Sequence, residues 1–150
     1  IAEHQAIQLK LADMATKLEA ARLLTRNTAE RKAAGERCDV EAGMAKLFAS
    51  EVGKEVVEDS FRIHGGYGYS KEYEIERLYR EAAFMLIGEG TSDIQKMIIG
   101  RSVLKDYKLL ATSCFGNETI ATAADILVRK GGRLGLAIDW MVAEGKAQAD

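Results

Sequence analysis

Residues 88–95 read Gly-Glu-Gly-Thr-Ser-Asp-Ile-Gln and set a lone carboxylate, Glu89, between two glycines where a helix begins. Gly88 and Gly90 permit backbone conformations closed to other residues and let another molecule approach closely. Thr91 or Ser92 can cap the following helix, and Ser92 with Gln95 three residues on fits the capping box. The free N–H groups and positive dipole end at such a start suit an electron-rich ligand. Carboxylates held away from Lys and Arg and removed from water become proton-abstracting bases, and Glu89 has that potential. On the octamer alone the plainer reading, a tight turn with an exposed Glu, is favoured.

Helices must position that turn. The 150 residues are enough for one domain with a real core. A 47% hydrophobic and 29% charged composition is that of a soluble globular protein. The net charge of −2 gives no basic field, so nucleic acid is not an expected partner. No apolar run reaches the roughly 20 residues of a membrane span. Proline is absent, and Ala, Leu, Glu, Lys and Arg are abundant, which favours long uninterrupted helices. Cys38 and Cys114 lie far apart without ligand spacing and read as free thiols. The chain starts at Ile1 without a Met, which points to sequence upstream.

Ile7, Leu11, Met14, Leu18 and Ala21 recur at helical spacing and predict one helix over about Glu3–Ala34, stopped by Gly35. Asp39 is the expected N-cap of a second helix, with Met44, Leu47, Phe48, Val52 and Val56 on one face, running to about Ile63. Gly65, Gly66 and Gly68 then break it. Ser70 is an expected cap for a short helix over Glu72–Arg80, and an apolar run, Ala82–Ile87, leads into the Glu89 turn. A further helix runs from Thr91 to about Leu110 with Ile94, Met97, Ile98 and Arg101 on one face. Beyond a loop at Ala111–Asn117, two more helices are expected at Thr119–Lys130 and Arg133–Lys146. The fold class is all-α, an antiparallel helical bundle.

Three stretches then gain meaning together: His64-Gly65-Gly66-Tyr67-Gly68-Tyr69, Glu76-Arg77-Leu78-Tyr79-Arg80-Glu81 and Ile87-Gly88-Glu89-Gly90-Thr91-Ser92-Asp93-Ile94-Gln95. In order and spacing they resemble the C-terminal helical domain of the acyl-CoA dehydrogenase family. The opening Ala2-Glu3-His4-Gln5-Ala6-Ile7-Gln8 agrees, and the likeness covers about Ile1–Tyr107. It implies domain limits of 1–110, with the first bundle helix missing, and an unrecognised helical extension over 111–150. That extension is expected to cover the apolar surface the missing helix leaves bare.

The resemblance also implies chemistry. These enzymes oxidise an acyl-CoA thioester to the 2,3-enoyl-CoA with FAD as hydride acceptor, and Glu89 stands where the medium- and short-chain branches place the α-proton-abstracting base. Gly90 corresponds to a position lining the thioester site, and Arg101 to an arginine near the substrate end of the helix, although a plain surface charge is nearly as good a reading. Thr91, Ser92 and Asp93 correspond to the segment contacting FAD at the helix start. Arg62, Ile63, His64, Gly65 and Gly66 match a loop meeting the ADP half of a neighbouring subunit's FAD, and His4 and Gln5 a pair that reaches FAD across the dimer. The implied partners are an acyl-CoA, a second copy in a homodimer or homotetramer, and an electron-transfer flavoprotein in the complete enzyme. The implied location is the bacterial cytoplasm or the mitochondrial matrix.

Departures are visible as well. Arg62 stands where the family usually has Gln, His64 where an aliphatic residue is common, and Glu74 where proline is frequent. The flavin-ring domain of the family has no counterpart in the chain, so the isolated chain is expected to be inactive. The competing reading is a stand-alone helical oligomerisation or assembly module without catalysis. Nitroalkane oxidases share the fold but use an aspartate base, which Glu89 argues against; acyl-CoA oxidases remain compatible.

Overall fold

In the computed structural model, which describes residues 1–106, Gln5–Ala33 form one continuous helix, α1. No Pro or Gly interrupts it, and its residues are mostly strong helix formers. Its end is a Schellman motif: Gly35, at φ +80, donates to Lys32 O, and Glu36 N–H donates to Arg31 O at 3.1 Å.

The stripe that α1 buries differs from the apolar one its sequence marks. Buried and half-buried residues are Ile7, Met14, Lys17, Ala21, Leu24, Thr28 and Arg31, alternating three and four apart from Met14 onward. Leu11 and Leu18 are 46% and 40% exposed, so the expected Ile7–Leu11–Met14–Leu18–Ala21 face is split. The reason lies across the contact. Lys17 meets Glu55 and Arg31 meets Glu41, so those two long side chains are matched by partners on the next helix.

That helix, α2, spans Asp39–His64 and runs antiparallel to α1, as Lys10–Asp59, Lys17–Glu55 and Arg31–Glu41 show by their register. Cys38, not Asp39, is its N-cap; the Asp39 carboxylate instead accepts from Arg37 Nε at 2.9 Å. Cys38 is buried and free, whereas Cys114 lies outside the described residues. Val52 and Val56 form the core with Ala21, joined by Met14 and Ala49.

The glycine break after α2 is a 3₁₀ turn over Gly65–Tyr69. The next helix, α3, spans Ile75–Met85, starting later and ending later than the expected Glu72–Arg80. Ser70 Oγ accepts from Glu72 N–H at 3.3 Å and so closes a turn before the helix rather than capping it. Ile75 and Ala82 are the buried residues of α3, and Tyr79 stacks on Phe61 of α2 with ring centroids 4.7 Å apart. Tyr79 also lies 4.1 Å below Lys54 Nζ.

Around Tyr79 the Glu58 carboxylate is pulled down to about 2 by hydrogen bonds from Tyr79, Lys54 and Arg62. Its ordinary value is 4.5. The unfolded chain therefore binds the extra proton first as pH falls, and the stabilisation is complete above about 4.5 and lost on the way down to about 2. Acid denaturation followed by circular dichroism should show a shallower stability slope across that window for Glu58→Gln; an unchanged slope contradicts the assignment.

Helix α4 spans Ser92–Asp106, and the rest of its expected run to Leu110 lies outside the described residues, as do the expected helices of the tail. It meets α2 closely at Gly43, where an added Cβ would stand 3.0 Å from Gln95 Oε1 and 3.6 Å from Ile99 Cγ1. The chain divides into two compact units, Ile1–Gly100 and Arg101–Asp150. Among the described residues all regular structure is helical, and the fold is an all-α antiparallel bundle.

Candidate active site

The Glu89 turn joins the end of α3 to the start of α4, and its backbone is unusual. Glu89 sits at φ +57, the one positive-φ non-glycine among the described residues. A left-handed conformation costs a side-chain-bearing residue about 1–2 kcal/mol. Gly90 follows at φ +94. Gly88, expected to supply the same freedom, has an ordinary φ and is needed for space: a Cβ there would stand 2.9 Å from the Phe84 ring. The strained residue is thus the carboxylate bearer itself.

Several contacts hold this shape. Gly88 N–H donates to Phe84 O at 2.8 Å, and Ser92 N–H donates to Leu86 O at 3.2 Å. Thr91 is the N-cap, its Oγ1 accepting from Ile94 N–H at 3.3 Å and its carbonyl from Gln95 N–H at 3.0 Å. The Ser92–Gln95 capping box does not form. Gln95 Nε2 turns back to Glu89 O at 3.2 Å, and Ser92 Oγ donates to Glu51 of α2.

One contributor has no signature in the sequence around the turn. Lys46 of α2 donates to Met85 O at 3.0 Å and to Gly90 O at 2.7 Å. A lysine is therefore present at the turn after all, but its ammonium is directed at backbone carbonyls. Glu89 is exposed, with Thr91 and Asp93 exposed beside it. Among the described residues the Asp93 carboxylate has one cation near it, Lys96 at 3.8 Å.

The remaining expected contacts gather elsewhere. The antiparallel α1–α2 register set by Lys10–Asp59 and Lys17–Glu55 brings the start of α1, with His4 and Gln5, to the end of the bundle where α2 finishes with Arg62 and His64. From Glu51, which holds Ser92, to His64 is 13 residues of α2, roughly 20 Å at helical rise. The molecule thus presents two polar stations, one around Glu89–Asp93 and one around His4, Gln5 and Arg62–Gly66.

In the second station the side chains are partly committed. Arg62 pairs with Glu58, Nε to Oε1 at 3.0 Å and Nη2 at 2.8 Å. His64 Nδ1 lies 2.8 Å from Ser60 O, so that nitrogen carries a proton and donates to the carbonyl. Gly65, at φ +59, already donates its N–H to the Arg62 and Phe61 carbonyls. It contributes conformation rather than a free donor. Gly66 is exposed, and a Cβ there would meet nothing within 4 Å. Arg101 is exposed on α4.

A groove of about 780 Å³ runs between α1, α2 and α3, lined mainly by small and apolar residues including Ala42, Ala45, Ala49, Val57, Ala82 and Met85. Glu89 does not line this groove, whereas Lys46 and Met85, which meet beside the Glu89 turn, do. Among the described residues no group of His, Cys, Asp or Glu could hold a metal ion, and no helix is long and apolar enough to cross a membrane.

Comparison with known proteins identifies the family to which residues 1–104 belong. A 3-(aryl)acrylate reductase of Clostridium sporogenes is 54% identical over 105 residues, covering 70% of this chain and 28% of the relative. A caffeyl-CoA reductase–Etf complex subunit of Acetobacterium woodii is 50% identical over 105 residues, with the same two coverages. The solved structure of butyryl-CoA dehydrogenase from Megasphaera elsdenii superposes with a TM-score of 0.67 at 42% identity, covering 69% of this chain and 27% of that one. The chain thus spans little more than a quarter of the length of these relatives. Residues 1–104 match the family description "Acyl-CoA dehydrogenase, C-terminal domain", and the chain belongs to that family.

Proposed function

We propose that this chain is the base-bearing C-terminal domain, over residues 1–110, of a flavin-dependent acyl-CoA oxidoreductase, with Glu89 as the group that takes the α-proton of an acyl-CoA thioester. The observation that carries the reading is the turn: an exposed carboxylate on a left-handed residue, between two glycines, at the N-terminus of α4 in a domain of this family. Exposure lets a substrate reach Glu89, and bound substrate would exclude the water around it, which strengthens a carboxylate as a base. Gly90 leaves room for the thioester beside it, and Arg101 is proposed for the far part of the substrate.

FAD, when bound, supplies the hydride acceptor for the β-carbon. The residues present fit its polar half. Thr91, Ser92 and Asp93 offer polar side chains at a helix N-terminus, and the bare surface over Gly66 lets a bulky phosphate-linked group come close. Family membership, rather than a distance within this chain, supports a homodimer or homotetramer in which His4, Gln5 and Arg62–Gly66 meet the neighbour's FAD. Arg62 would have to share its guanidinium between Glu58 and a phosphate, which its planar set of donors permits. An electron-transfer flavoprotein is the proposed electron partner, in line with the Etf complex to which one relative's name refers.

A second reading follows from relatives named as reductases. There Glu89 returns a proton to the α-carbon as a 2,3-double bond is reduced. Running the purified full-length protein that carries this domain in both directions separates the two. Acyl-CoA oxidation is expected to be measurable; exclusive enoyl-CoA reduction favours the second reading, and activity in neither direction contradicts both. The 150-residue chain alone is expected to lose flavin on gel filtration and to be colourless. Among the described residues nothing encloses a ring system beside Glu89, and a yellow, active isolated chain would refute this.

A further inference from the structure

We infer that Lys46 is a positioning residue for Glu89, acting through the backbone of the turn; the inference rests on the proposed role of Glu89. Lys46 is half-buried on α2, and its Nζ donates to the carbonyls of Met85 and Gly90, at 3.0 and 2.7 Å. Those two carbonyls bracket the segment Leu86–Glu89, so one ammonium fixes the end of α3 and the exit of the Glu89 turn to the same point on α2. The other turn contacts named above join residues at most six apart, except Ser92 to Glu51. Local contacts shape the turn. Lys46 and Glu51 set where it sits on the rest of the bundle, and only Lys46 grips it on both sides of Glu89.

The chemistry favours a lysine in this place. Two carbonyl oxygens from different elements can be satisfied by one tetrahedral ammonium with three N–H donors, and charged donors make the stronger hydrogen bonds. A turn whose central residue is at φ +57 and whose next is at φ +94 would relax if released. Relaxation would carry the Glu89 carboxylate off line, and a shift on the order of 1 Å at a reacting group can cost about a hundredfold in rate.

The test uses the flavin-loaded full-length protein that carries this domain, with Lys46→Met, Lys46→Arg and, in parallel, Glu89→Gln. Lys46→Met is expected to lower kcat roughly tenfold or more while KM for the acyl-CoA and flavin content stay near wild type. Lys46→Arg, which keeps a charged multi-donor head, should recover most of that loss. If Lys46→Met yields no soluble protein, Lys46→Gln, polar but too short for both carbonyls, is read in the same way. A kcat that survives Lys46→Met, a fall in kcat, substrate binding and flavin content together, or an Arg variant no better than Met overturns the positioning role. Activity that Glu89→Gln leaves intact overturns the function on which it rests.

Discussion

Glu89→Gln is expected to lower turnover of an acyl-CoA by roughly a thousandfold, within the range that a positioned acid–base group contributes. The amide has nearly the shape of the carboxylate but cannot take a proton from carbon. Substrate and flavin binding should therefore persist, and the loss should fall on kcat. Stability should hardly move, because Glu89 is exposed and only its backbone carbonyl receives a hydrogen bond, from Gln95 at 3.2 Å. Exposed substitutions of this kind usually stay within about 0.5 kcal/mol. Steady-state kinetics beside a melting curve separate the outcomes. A large kcat loss at unchanged Tm is predicted, and full activity would remove Glu89 from the mechanism.

Gly90→Ala should act on both stability and rate. At φ +94 a side chain strains the backbone, and the added Cβ would stand 2.8 Å from Gln95 Nε2. The amide is the end of a flexible side chain and can withdraw, but in doing so it releases the Glu89 carbonyl. The cost is expected to be about 1–2 kcal/mol, a Tm lower by several degrees. Turnover should fall at least tenfold, as expected when a reacting group loses its alignment. A thermal melt and a kcat measurement on one preparation check both. A variant as stable and as fast as wild type would show that the turn needs no glycine there.

The same turn shows what a sequence can and cannot display. Helix stops at Gly35 and at Gly65–Gly66 were legible because glycine acts on its own backbone, within one or two residues. The Glu89 motif was legible for the same reason, together with its companion motifs. Which of Gly88, Glu89 and Gly90 carries the positive φ was not, since Phe84 and Gln95 decide it through space. Lys46 lies 44 residues from Gly90, and nothing in α2's own pattern separates it from an ordinary surface lysine. The buried stripe of α1 departs from its apolar pattern for a similar reason. Leu11 and Leu18 mark an apolar flank, while Lys17 and Arg31 take contact positions because Glu55 and Glu41 face them. The N-cap of α2 is Cys38 rather than Asp39, whose carboxylate pairs with Arg37. Local rules were readable; pairings between distant helices were not.

The central claim, that Glu89 takes the α-proton, is tested most directly by exchange without oxidation. An arylacetyl-CoA has α-hydrogens but no β-hydrogen to give up, so proton removal and return can be followed alone. Flavin-loaded full-length protein in deuterated water should place deuterium at the α-carbon, detected by mass spectrometry of the thioester. The account predicts exchange with Glu89 intact and a rate lower by roughly a thousandfold for Glu89→Gln. Equal exchange by both proteins would contradict it.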